Sequence, residues 1–147
     1  MKEFLLLSII GLFICIAASA QKSPVYTKNN KAINGYDPVA YFTESKPVLG
    51  KAELVYLWNG ANWHFSTKEN LESFKANPGK YAPQYGGYCA YGCSEGHKAS
   101  TSPDAWTIID GKLYLNNSAK VREYWNKNRP ERIIQADKNW PGIKDKE

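Results

Sequence analysis

An α+β fold, a small single domain of two β-hairpins packed with about three helices, is predicted by three features of the sequence. Two tight-turn pairs, Asn59-Gly60 and Asp110-Gly111, each sit between two short apolar runs. Each hairpin is followed by an amphipathic stretch that opens on a helix-start signature. Aromatic residues are dense, with ten Tyr and five Trp, which suits a ring-filled core or cleft in a short chain.

The chain opens on what reads as an export signal. Lys2 supplies a positive start, and residues 4–16 form an apolar run interrupted by Ser8 and Gly11. Ala18-Ser19-Ala20 then gives the small-residue pattern of a cleavage site before Gln21. The run is about 13 residues and a spanning helix needs roughly 20, so the reading is cleavage and not stable membrane insertion. A lipoprotein is disfavoured because bulky Phe13 and Ile14 precede Cys15. The expected organisation is a signal peptide at 1–20, a polar flexible lead-in at 21–31, one domain at 32–142 and a tail at 143–147. The expected location is periplasmic or secreted.

The first hairpin is expected from residues 54–58 and 62–65 around Asn59-Gly60, and the second from 106–109 and 112–115 around Asp110-Gly111. Asn-Gly and Asp-Gly accept positive φ at both turn positions, as a type I′ turn requires. Ser66-Thr67-Lys68-Glu69 is a capping box in which Ser66 accepts from the backbone of Glu69. Its helix buries Leu71 and Phe74 and ends near Asn77-Pro78-Gly79. A second helix begins near Asn117 or Ser118 and places Val121, Tyr124 and Trp125 on one face. Pro130 interrupts it and opens a third carrying Ile133, Ala136 and Trp140, which Pro141 closes.

Net charge is +5, with the lysines scattered and no nucleic-acid-binding motif beside them. The charge therefore points to solubility or anionic surfaces, not to nucleic acid. Cys15 leaves with the signal, so the exported chain keeps Cys89 and Cys93. With His97 they form a C-x3-C-x3-H spacing. On a continuous helix that spacing would place all three on one face, a grouping suited to Cu(I) or Zn(II). Gly92 and Gly96 oppose one continuous helix. His64 is an outside candidate for a fourth ligand.

Other readings of the pair stand beside the metal one. It can be a structural disulfide, or a thiol–disulfide redox pair in an oxidising compartment. Ser94 with His97 and Asp104 or Asp110 makes a poor hydrolase, because Ser94 lacks a nucleophile-elbow setting. Asn116-Asn117-Ser118 fits a glycosylation sequon but sits where a helix cap is due. Tyr36, Tyr41, Tyr81, Tyr85, Tyr88 and Tyr91 form either a ring-rich core or a cleft for a small ligand.

Several motifs in order carry a resemblance. They are residues 37–42 (Asp-Pro-Val-Ala-Tyr-Phe), Trp63-His64-Phe65-Ser66, then Phe74 and Asn77-Pro78-Gly79-Lys80-Tyr81. The runs from Gly86 to Tyr91 and from Asp110 to Asn116 follow, and Asn139-Trp140-Pro141 closes the set. Together they resemble the YHS domain family, in its exported bacterial branch, over about residues 32–142. The resemblance implies a small α+β metal-binding domain related to cysteine-rich heavy-metal modules. Those modules carry Cys where this chain has Ala40, Ser66 and Asn70. The leading expectation is thus an exported YHS-type module for copper or zinc, with Cys89, Cys93, His97 and His64 as ligands. Thiol–disulfide redox work by the pair, or a non-catalytic binding scaffold with a structural disulfide, is the alternative; the partner expected is a metal ion or a small ligand.

Overall fold

The computed structural model describes residues 23–146; the signal peptide read at 1–20 lies outside them. The first half runs β1 (Thr27–Lys28), β2 (Lys31–Ala32), α1 (Ala40–Thr43), β3 (Lys51–Trp58), β4 (Ala61–Phe65), α2 (Lys68–Ala76) and α3 (Pro78–Tyr81). The second half runs α4 (Ala90–Ser94), β5 (Trp106–Ile109), β6 (Lys112–Leu115), α5 (Ala119–Lys127) and α6 (Arg129–Ile143). The fold is α+β, with both hairpins where the turns place them. Among the described residues, three longer helices (α2, α5 and α6) accompany three single-turn ones (α1, α3 and α4).

Both turns take the left-handed geometry that their residues permit. Asn59 and Gly60 have φ of 51° and 75°, and Asp110 and Gly111 have 51° and 72°. The first hairpin extends into a four-stranded sheet of order β1-β2-β4-β3, in which β2 and β4 run parallel. The expected loose lead-in is therefore partly built into the fold. Val25 is buried, β1 pairs with β2, and Tyr26 N–H donates to Gly86 O at 2.8 Å. Polar composition concealed this, because a two-residue strand needs only backbone partners.

Along β4, Ala61, Trp63 and Phe65 alternate onto one face and join the first core cluster with Ile33, Val39, Tyr41 and Phe74. Phe74 of α2 packs edge-on against Trp58, with ring centroids 5.7 Å apart. The second cluster gathers Tyr85, Cys93, Trp125, Ala136 and Ile143. The strand β6 feeds both, with Leu113 and Leu115 in the first cluster and Tyr114 in the second. Hairpin β5–β6 thus forms a layer between two cores.

Two helix boundaries differ from expectation. Thr67, not Ser66, caps α2 by accepting from Asn70 N–H at 3.1 Å. The Ser66 hydroxyl instead donates to Asp37. Ser118 caps α5 as expected, but of Val121, Tyr124 and Trp125 only Trp125 is fully buried. Pro141 does not end α6, which continues to Ile143. Burial of Ile143 in the second cluster, and a Lys144 N–H bond to Trp140 O, hold that last turn against the proline's missing donor. Among the described residues no helix is long and apolar enough to cross a membrane.

Candidate functional site

The approach to the cysteines is a backbone reversal. Tyr85, Gly86 and Gly87 take φ of 56°, 61° and 80° in succession. A Cβ on Gly86 would lie 1.8 Å from Pro24 O, so glycine is required there by space as well as by φ. The chain then extends through Tyr88 and turns into α4, with Cys89 at its N-cap. Cys93 N–H donates to Cys89 O at 2.9 Å, which puts the two cysteines one helical turn apart. Both are free thiols and both are buried. Burial first, and the neighbouring Cys89 second, push the Cys93 thiol up to about 12, against a smaller opposing pull from Lys98.

Asn116, at the end of β6, completes this site and was absent from the sequence-derived ligand set. Its Oδ1 accepts from Tyr91 N–H at 3.0 Å and from the Cys89 thiol at 3.5 Å. The residue is 0% exposed, and its Nδ2 has no hydrogen-bond partner among the described residues. A fully buried Asn116 also disposes of the sequon reading for the folded chain. Only the position of Asn116 after the apolar run 113–115 hinted at burial, and sequence spacing does not connect it to Cys89.

His97 and His64 do not join the thiols. The helix α4 stops at Ser94 and Gly96 turns left-handed at φ 90°, so the third position of C-x3-C-x3-H leaves the helix face. His97 is exposed, with its ring beside Gly92. His64 lies on β4 opposite the core-facing Trp63 and Phe65; its Nδ1 is 3.2 Å from Lys51 O and its Cβ sits beneath Gly50. Among the described residues no group of three or more His, Cys, Asp or Glu could hold a metal ion. The expected four-ligand grouping is thereby corrected to a pair of thiols.

The positions that are Cys in the cysteine-rich modules are differently occupied. Asp37, fully buried, accepts from Val39 N–H (2.8 Å) and Ala40 N–H (3.3 Å) on Oδ1. On Oδ2 it accepts from Ser66 N–H (2.8 Å), Ser66 Oγ (2.7 Å) and Asn70 Nδ2 (2.8 Å). Five donors saturate the carboxylate, and the knot ties the start of α1 to the start of α2. Ala40, Ser66 and Asn70 here serve one structural acid.

Ser94 has no catalytic setting. Its hydroxyl donates to Tyr91 O at 2.6 Å and accepts from Arg132 at 3.0 Å. Arg132 stacks on the Tyr91 ring, 4.2 Å from its centroid, and pairs with Glu95. Asn139 Nδ2 caps the end of α4 through Cys93 O and Ser94 O. These contacts fix α4 on α6.

Residues 39–85 match the family model of the YHS domain. The chain carries a YHS domain. No curated protein and no solved structure matches it. The matched segment holds α1, β3, β4, α2 and α3, and ends at Tyr85, where the backbone reverses. Cys89, Cys93 and Asn116 therefore lie outside the YHS match, on the part of the chain that packs over it.

Proposed function

We propose that this YHS domain protein is an exported, non-catalytic module that holds a soft monovalent cation, Cu(I), between Cys89 and Cys93. The reading assumes removal of residues 1–20 and work in the periplasm or outside the cell. It rests on one observation: two reduced, buried cysteines stand one helical turn apart, with the buried Asn116 against the Cys89 thiol. Thiolates select soft ions. Zinc in a structural site takes four ligands, and this site supplies two, so the donor set fits Cu(I) and not zinc. Redox catalysis is disfavoured because a buried thiol raised to about 12 is a weak nucleophile.

Anaerobic titration of the reduced protein against a chromophoric Cu(I) chelator tests this. One ion per chain is expected, with Cys89→Ser and Cys93→Ser each weakening affinity at least about tenfold. Thiolate ligation releases protons, so affinity should rise with pH. Affinity unchanged in both variants, or a flat pH profile, would remove the site.

A further inference from the structure

A cleft of about 380 Å³ opens at the seam between the two core clusters. Trp58 and Trp63, from the first cluster, and Tyr85 and Trp140, from the second, line it. The volume falls within the range of small-ligand sites, and ring walls with a few polar groups are their usual lining. We infer that this cleft binds a small flat aromatic carboxylate, its ring between the indoles and its charge toward Lys144.

The ring walls are held in place. Tyr85 is a non-glycine residue at φ 56°, ψ 36°, and its hydroxyl donates to Asp137 Oδ1 at 2.8 Å. A side chain fixed on a left-handed backbone at a cleft wall is the kind of strain that binding sites retain. Pro24 closes the adjoining wall against Gly86 with no space for a Cβ. Trp63 keeps its orientation by donating Nε1–H to Trp58 O at 2.9 Å.

Charge selects the ligand's sign. Lys144 lines the cleft, and its described lining includes no Asp or Glu. At the cleft edge this exposed cation attracts anions and repels cations. An aromatic cage for an ammonium ligand would need the opposite balance. The Asn59 and Gln84 side chains also line the cleft and can bond a carboxylate or a ring substituent.

Calorimetry with indole-3-acetate and 1-naphthoate tests the inference, with tryptamine as the cationic counterpart of the first. Saturable binding of the acids with Kd below about 1 mM is expected, and at least about tenfold weaker binding of tryptamine. Lys144→Glu changes an exposed residue and should reverse that preference while leaving the circular dichroism spectrum unaltered. The indole N–H resonances of Trp58 and Trp140 should shift on titration of the unaltered protein. Failure of both acids to bind, tighter binding of tryptamine, or shifts confined to other residues would overturn the proposal.

Discussion

At the residue scale, the most consequential side chain is Asp37. Its carboxylate is sealed from water and accepts from five donors spread over residues 39–70. Removing it would strand those donors, and an unsatisfied buried group costs roughly 1–3 kcal/mol. Asp37→Ala is therefore expected to lower the unfolding free energy by at least about 3 kcal/mol in urea titrations. A loss below about 1 kcal/mol would mean that water replaces the carboxylate freely. The sequence marked Asp37 as a turn residue, which it is. It gave no sign that Ser66 and Asn70 converge on the same acid, because those partners are 29 and 33 residues away.

At the element scale, the reversal at 85–87 decides where α4 begins and so where both thiols lie. Gly86→Ala would need a left-handed alanine and would drive its Cβ into Pro24 O. Gly111 has a similar positive φ but no atom near its Cβ position. Gly111→Ala should then cost about 1 kcal/mol, from backbone strain alone. Gly86→Ala should cost clearly more, about 2 kcal/mol or above, because the β1 lead-in must also move. Equal shifts of the two urea midpoints would show that the Pro24 contact yields easily. The Gly86-Gly87 step announced a tight turn in the sequence. That it also receives the lead-in strand belongs to tertiary packing.

At the scale of the whole molecule, β6 couples the YHS segment to the thiol-bearing half. Its alternating residues face two different cores, so neither core closes without it. Leu113→Ala removes a fully buried side chain from this layer and should destabilise the protein by about 2–5 kcal/mol. Unfolding should remain one transition when followed by total indole fluorescence and by far-ultraviolet circular dichroism. Two separated transitions would show that the halves are independent, which a shared layer does not allow.

Local signals were enough to determine the α+β class, both hairpins, the start of α5 near Asn117 or Ser118 and the choice of Cys89 and Cys93 as neighbours. Each depends on residues within a few positions of one another, where backbone geometry and side-chain type fix the outcome. Tertiary structure alone decided the rest. It brought Asn116 to Cys89, turned His64 away on the opposite face of β4 and left His97 beyond a left-handed glycine. It also carried α6 through Pro141 and brought Trp58 and Trp140 to one cleft. Those outcomes come from burial and from pairing across tens of residues, and sequence spacing holds no record of which distant groups will share one desolvated space.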